Sequence, residues 1–374
     1  MSAYKTDIYN NVFKEYGYSE EEIENKLEYI YKTIFFGNED ERLYNPVGDD
    51  MACFIDTGNN DVRTEGMSYA MMMCVQRNMK EEFDKLWKWA KTYMYMEDGW
   101  NKGYFAWSVK PNGEKNSNGP ASDGEEYFAL ALFFAANRWR NGEGIFNYSK
   151  EARKLLYECV HKGEKEQGDP MWDPKNKLIK FVPGLKFTDP SYHLPHFYEL
   201  FSIWSMEEDH EFWKEAAHCS REFLKKACDP VTGLAAEYSH YDGSPYVKDK
   251  HERYYSDSYR VPANLGLSYE WFENSKWECE CSDKIQTFFC EAVKGKADLV
   301  YEIDGTIIEE KALHPVAIIA TNAMASLASK GKYRKKCVDL FWNTPLRTGE
   351  RRYYDNCLYV FAFLALSGNY KIWK

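Results

Sequence analysis

Two kinds of apolar block alternate along this chain. The first kind opens with Thr64-Glu65-Gly66-Met67-Ser68-Tyr69-Ala70-Met71-Met72-Met73, where charge is absent after Glu65 until Arg77. A helix that is apolar on nearly every side has to be buried on nearly every side. Thr64 has an N-cap side chain, and Glu65 then falls in the first turn, where negative charge is favoured. The pattern predicts a core helix that carries one acid at its rim. The same pattern recurs where Ser122-Asp123-Gly124-Glu125-Glu126 precedes Tyr127 to Ala136, and where Asp189-Pro190-Ser191-Tyr192 precedes His193 to Trp204. It recurs again where Ser256-Asp257-Ser258-Tyr259-Arg260 precedes Val261 to Phe272, and where His314-Pro315 precedes Val316 to Ala328; Asp355 lies within a sixth block, Tyr353 to Leu366. Heads at 65, 123, 189, 257 and 314 stand 58, 66, 68 and 57 residues apart, a near-constant period that marks a repeat.

Blocks of the second kind are amphipathic. Ser19-Glu20-Glu21-Glu22 has the form of a capping box and is followed by Ile23, Leu27, Ile30, Tyr31 and Ile34 at helical spacing. From Glu81 to Tyr95, Phe83, Leu86, Trp87, Ala90 and Met94 form one stripe, opposite Glu82, Asp84, Lys85, Lys88 and Lys91. Similar segments at Glu151–His161, Glu211–Cys228, Lys284–Lys294 and Tyr333–Asn343 separate the acid-headed blocks. The count is six outer and six inner helices, an all-α chain whose simplest closed form is a ring of six helical hairpins with all inner N-termini at one end. The segment Gly37 to Asp61 reads as loop. Gly103 to Lys110 followed by Pro111-Asn112-Gly113, and Leu299 to Glu310 around Asp304-Gly305, read as short β-hairpins. With Met171 to Phe187, these connections are expected to wall a cleft on one rim. No Pro/Gly/Ser-rich linker interrupts the chain, so residues 1–374 are read as one domain.

Charge and composition narrow the chemistry. With 48 basic against 59 acidic residues and a net charge of −11, the chain lacks the basic face that nucleic acid or an anionic membrane requires. Aromatic residues make up 17% of the chain, with 12 Trp and 29 Tyr, a high content for which a large core is one use. Sugar binding is another, since apolar ring faces stack on aromatic planes while hydroxyls find polar partners. Many of the ten cysteines fall within apparent helices, among them Cys74, Cys159, Cys219, Cys290, Cys337 and Cys357. Residues 1–16 show no basic segment followed by an apolar run, and no apolar stretch approaches about 20 residues. A reduced, cytoplasmic chain with free thiols is expected.

Acids at the heads of converging helices suit glycoside hydrolysis. One carboxyl protonates the leaving oxygen, while a second acts on water or on the anomeric carbon. A helix N-terminus favours the ionised carboxylate, so Glu65 could serve as an acid only beside a like charge or an apolar wall, and Asp123 is the candidate for that charge. Arg63-Thr64-Glu65-Gly66-Met67-Ser68-Tyr69-Ala70-Met71 resembles the catalytic-acid signature of glycoside hydrolase family 8. The resemblance continues through Gly103-Tyr104-Phe105-Ala106-Trp107, Pro120-Ala121-Ser122-Asp123-Gly124-Glu125-Glu126-Tyr127 and Asp257-Ser258-Tyr259-Arg260-Val261-Pro262. It implies an (α/α)6 barrel and an inverting mechanism. In that mechanism Glu65 is the general acid, Asp257 the general base, and Asp123 a residue that positions the distorted sugar and raises the affinity of the acid for its proton. Tyr192 and Arg260 match positions near the water and the base, and Trp107 matches a stacking position. Within the family the chain is most similar to the reducing-end xylose-releasing exo-oligoxylanases, because Leu313-His314-Pro315 resembles the kink that closes their cleft beyond the first leaving-group subsite. Endo-acting xylanase, chitosanase or endoglucanase activity is the alternative, followed by a non-catalytic oligosaccharide-binding protein.

Trp100 and Tyr354 are further candidates for substrate contact, and Trp172 is either core or sugar platform. His193-Leu194-Pro195-His196 lacks an obvious acid partner, and Cys279-Glu280-Cys281 is no better as a metal pair, so no metal is expected. No phosphate-cradling loop or dinucleotide fingerprint is present, and no cofactor is expected. The Met67, Met71, Met72 and Met73 run reads as core filling. The expected partner is a xylo-oligosaccharide, with no nucleic acid and no membrane, and the chain is expected to act as a monomer.

Overall fold

The computed structural model describes residues 2–273 and 275–374. Two single-turn helices, α1 (Ala3–Thr6) and α2 (Val12–Glu15), precede twelve longer ones. These are α3 (Glu20–Phe36), α4 (Thr64–Gln76), α5 (Lys80–Trp89), α6 (Ser122–Trp139), α7 (Tyr148–His161), α8 (Pro195–Trp204), α9 (His210–Ala227), α10 (Arg260–Phe272), α11 (Lys276–Thr287), α12 (Pro315–Met324), α13 (Arg334–Trp342) and α14 (Arg352–Leu366). The fold is mostly helical, and burial alternates along it as the pattern predicted. In α4 every residue but Glu65 is buried, and α14 is buried along its whole length. In α5 only Phe83, Leu86, Trp87 and Trp89 are buried, and the acids and lysines face out. Met67, Met71, Met72 and Met73 are fully buried, as core-filling side chains should be.

Three expectations change. The stretch read as loop between Gly37 and Asp61 carries two strands, β1 (Tyr44–Val47) and β2 (Met51–Asp56). They join β3 (Asp61–Arg63) and β4 (Ser108–Val109) in a four-stranded antiparallel sheet of order β1-β2-β3-β4. The apolar run from Met51 to Ile55 is too short, and too closely bounded by acids, for periodicity to mark it as a strand. Helix α11 begins at Lys276 rather than Lys284, capped by the Ser275 side chain, which accepts from the Trp277 N–H at 3.2 Å. Its first turns bury Glu278, Cys281 and Ser282, which leave no apolar stripe to read. The first predicted hairpin is shorter than expected: residues 108–110 pair antiparallel with 114–116 across the Pro111-Asn112-Gly113 turn, the Lys110 N–H donating to the Glu114 carbonyl at 2.7 Å and the Asn116 N–H to the Ser108 carbonyl at 3.0 Å, while β4 also pairs with β3. The second hairpin forms as expected from β5 (Leu299–Tyr301) and β6 (Ile307–Lys311).

Contacts divide the chain into two compact units, each assembled from separate stretches. One comprises the chain through Lys32, Phe187–His196 and Ser220–Ile372. Its core includes Phe13, Phe341, Trp342 and Phe363, with Phe13 and Phe363 ring centroids 4.9 Å apart. The other comprises Thr33–Lys186, Phe197–Cys219 and Trp373–Lys374. Here Trp87, Phe105 and Phe128 pack at 5.0–5.7 Å, and Trp172 is fully buried against Tyr198 and Trp213. Trp172 is therefore core and not a sugar platform.

Candidate active site

The Glu65 segment is fixed at the junction of sheet and helix. Strand β3 pairs with β4, and the Thr64 N–H donates to the Trp107 carbonyl at 3.0 Å. That bond holds the chain extended through Arg63, which becomes the N-cap residue with no side-chain bond, while Thr64 is already helical. The cap therefore lies one residue earlier than expected, and Glu65 still stands in the first turn, partly exposed at the head of a buried helix. Asp123 occupies the equivalent turn of α6 and is 6% exposed. Gly124 lets these two helix heads meet, because a Cβ there would lie 2.4 Å from the Thr64 Cβ and 2.5 Å from its Oγ1. Behind Asp123, Glu125 is wholly buried and accepts from the Phe105 N–H at 3.0 Å. Burial pushes its carboxyl well above the usual range, the Phe105 N–H opposes this, and the Asp123 charge adds to it.

Trp107 is 37% exposed, with the Arg63 guanidinium 5.3 Å from its ring centroid. Arg63 is itself held by Asp61 at 3.1 Å and Asp56 at 3.2 Å, so the indole has a fixed backing. Trp100, 54% exposed, donates to Asp169 at 3.2 Å. It borders a cavity of about 620 Å³ shared with Lys91, Tyr95, Asn101 and Asn118, whose lining includes neither Glu65 nor Asp123.

Asp257 lies on a 3-10 turn, Ser256–Tyr259, that feeds directly into α10. The preceding Ser256 has φ of +41°, a left-handed conformation that a serine adopts only against steric resistance, as found at functional sites. The Arg260 guanidinium, 4% exposed, approaches the Asp257 carboxylate at 3.2 Å and stands 5.2 Å over the ring of Tyr192, itself 4% exposed. Tyr192 closes a second 3-10 turn, Pro190–Tyr192, which Asp189 caps by accepting from the Ser191 N–H at 2.7 Å. Asp189 is fully buried. Burial pushes its carboxyl well above the usual range, as does the Asp257 charge, against the pull of Arg260. Its Oδ2 has no hydrogen-bond partner among the described residues, which suits the protonated form.

His314 is the N-cap residue of α12, with Pro315 at the first helical position. It is 8% exposed, and Asp355 holds it at 3.0 Å through Nδ1. The same carboxylate accepts from the Ala317 N–H at 2.7 Å and from Arg347. Tyr354 packs on His314 with ring centroids 4.8 Å apart and donates its hydroxyl to the Ser256 carbonyl at 3.3 Å. His314, Tyr354 and the Asp257 turn are thus one contiguous cluster, together with Tyr192 and Arg260. His193, by contrast, is fully buried between Thr188 and Ser220, each 2.9 Å from a ring nitrogen, and burial lowers it to about 3. That is a core histidine.

Sequence reasoning missed Asp189 and Glu125 as site neighbours, although both stand in the acid-headed blocks it quoted. It also missed Asp355 as the residue that orients His314. It had no signal at all for Glu237 and His251 beside Asp257, since residues 230–255 carry no helical period.

An acid at the head of a buried helix near a backed tryptophan, and an acid beside a buried arginine, are features that suit carbohydrate cleavage. The chain belongs to family 8 of the glycosyl hydrolases, whose model matches residues 30–368. The reducing end xylose-releasing exo-oligoxylanase of Halalkalibacterium halodurans is 60% identical over 374 aligned residues, 99% of this chain and 96% of that one. The structure of Rex8A from Paenibacillus barcinonensis complexed with xylose superposes with a TM-score of 0.98 at 53% identity, covering all of both chains. Endoglucanase 2 of Ruminiclostridium josui is 26% identical over 83% of this chain and 65% of its own.

Proposed function

We propose that this glycoside hydrolase releases xylose from the reducing end of short xylo-oligosaccharides, one unit per turnover, with inversion. Its whole-length similarity to an exo-oligoxylanase, more than twice the identity it has to an endoglucanase, supports that activity. The observation that carries the end-specificity is the His314 cluster. With Asp355 accepting at Nδ1, Nε2 is the ring nitrogen left to act as an acceptor toward substrate. The anomeric hydroxyl of a chain end has a proton to give to that nitrogen, whereas a glycosidic oxygen has none. A buried polar group left without its partner penalises the wrong substrate heavily. Chain ends are therefore favoured over internal bonds.

In this reading Glu65 is the general acid that protonates the leaving oxygen. Asp257 is the general base that removes a proton from the attacking water, with Tyr192 and Arg260 fixing its surroundings. Inversion requires the two carboxyls to stand roughly 6.5–9.5 Å apart, leaving room for that water. Asp123 binds the sugar just before the scissile bond, and its charge favours the protonated Glu65. Trp107 stacks on a ring further from the bond; Trp100 and Tyr354 are additional sugar contacts. The fold of this reading is one (α/α)6 barrel, the six acid- or histidine-headed helices inside and the six amphipathic ones outside. A single domain over 1–374 is supported by the interleaving of the two compact units along the chain. Ten free thiols support a reducing, cytoplasmic setting, to which oligomers rather than polymer are delivered, and the monomer is the working form.

Xylotriose labelled at its reducing end tests the activity. Labelled xylose and unlabelled xylobiose should appear in equal amounts from the first time point. Label in both products from the start would favour the endo-acting reading, and binding without products the non-catalytic one.

A further inference from the structure

The end of α11 and the helix α13 bring two thiols together. Helix α11 runs on into a π-helical turn, Phe288–Ala292, in which Phe288 and Phe289 are buried. Cys290 sits in that turn and is half-buried. A π-turn of this kind interrupts the regular helical register and is found disproportionately at functional positions. In α13, Cys337 is buried with Val338 and Phe341. The two sulfurs belong to residues 47 apart in sequence and stand 3.7 Å from each other. From α12 the Asn322 side-chain amide donates to the Cys337 sulfur at 3.6 Å and holds it in place. A disulfide requires an S–S distance of about 2.05 Å, so the pair is unbonded but within reach of side-chain rotation.

The surroundings make the two sulfurs unequal. The hydrogen bond from Cys337 draws the Cys290 thiol down to about 7, and the Lys336 charge adds to this, against burial and the charge of Glu291. Glu291 is itself engaged by the Lys332 ammonium at 2.7 Å and by the Tyr333 hydroxyl. The same bond between the sulfurs pushes Cys337 up, as does its burial. Burial pushes the thiols of Cys53, Cys74, Cys159 and Cys279 up as well. Cys290 thus carries the nucleophilic thiolate while Cys337 keeps its proton.

We propose that Cys290 and Cys337 form a reversible redox pair that hydrogen peroxide closes to a disulfide, Cys290 reacting first and Cys337 resolving. In the first step the Cys290 sulfur attacks one peroxide oxygen. The S–O bond forms as the O–O bond breaks, and the departing hydroxide takes up the proton Cys290 had released and leaves as water. Sulfenic acid remains on Cys290. In the second step the Cys337 sulfur attacks the Cys290 sulfur. The S–S bond forms, the S–O bond breaks, and the hydroxide released takes the Cys337 proton. Two thiols and one peroxide become one disulfide and two waters, with two electrons passing from sulfur to oxygen. A small thiol reverses the change by exchange, so the pair stays open in a reducing setting and closes under peroxide.

The test treats the native enzyme with an equivalent of hydrogen peroxide, blocks the remaining thiols with iodoacetamide and maps unreduced peptides by mass spectrometry. A peptide joining Cys290 to Cys337, lighter by two hydrogens than its separate parts and parted by dithiothreitol, is expected. In Cys337→Ser the sulfenic acid on Cys290 has no partner and should be captured by dimedone; in Cys290→Ser neither product should form. A second measurement on the untreated parent stands clear of any variant that fails to fold. There iodoacetamide should alkylate Cys290 roughly tenfold faster than the other half-buried thiols, Cys219 and Cys279, at neutral pH. Absence of the linked peptide in the peroxide-treated parent overturns the proposal. So does dimedone capture at Cys337 in Cys290→Ser, or alkylation of Cys290 no faster than that of Cys219 and Cys279.

Discussion

At the scale of single residues, the arrangement around Asp257 is an economy of charge. Asp189 and Asp257 share one buried guanidinium, Arg260, and nearby Glu237 bonds one partly exposed imidazole, His251. Burial, more than the Asp257 charge, pushes the carboxyl of Asp189, the most deeply buried of the three, well above the usual range. Glu65 and Asp257 are the two acids assigned direct roles. Replacing either with alanine is expected to lower kcat by about 10²–10⁴-fold, the usual worth of general acid or base help. The thermal unfolding midpoint should stay close to that of the parent, because neither side chain fills the core: Glu65 is partly exposed and the Asp257 side chain is 24% exposed. Loss of folding in both variants would point to a structural role instead. These two acids and Asp123 were legible because each stands at the head of an apolar block. The Glu237–His251 contact was not, because it is made by chain pairing across a loop that leaves no periodic trace.

At the scale of elements, the alternation of fully apolar and amphipathic blocks translated directly into buried and half-buried helices, since a helix's burial is written in the width of its apolar face. Elements without such a face escaped: the β1–β2 strands, whose apolar run is five residues long, and the polar start of α11. The junction of α4 and α6 is the element contact that matters most for the proposed chemistry, and it depends on Gly124. Gly124→Ala inserts a methyl where only 2.4 Å separates it from the Thr64 Cβ, so the helix heads that carry Glu65 and Asp123 must part. Overpacking of this kind costs about 1–3 kcal/mol. A urea titration should show a lowered midpoint with an unchanged slope, and kcat should fall in the refolded, native fraction. An unchanged midpoint would mean the two heads are not as tightly seated as described.

At the scale of the whole molecule, buried titratable groups of opposite kinds bound the pH range of stability. His193 is lowered from 6.5 to about 3 by burial, so between those values the unfolded chain binds a proton that the native one refuses, and stability falls as pH drops. Glu278 is raised from 4.5 to about 7, again by burial, so the native state holds a proton the unfolded one has lost, and stability falls as pH rises through that interval. The two slopes oppose each other between 4.5 and 6.5. Glu125 and Asp189, raised in the same sense as Glu278, extend the decline on the alkaline side. Melting temperature should therefore peak between about pH 4.5 and 6.5 and be lower at pH 8; a value still climbing at pH 8 would contradict this balance. Chemically, the proposed reaction has Glu65 and Asp257, from separate stretches of chain, acting on one bond, with water entering from the face opposite the leaving xylose. Proton NMR of xylotriose during the first minutes of hydrolysis reads this directly. The new reducing end of xylobiose should appear as the α-anomer, inverted from the β-linkage, before mutarotation mixes the signals. First appearance of the β-anomer would mean retention, and Asp257 would not be the base.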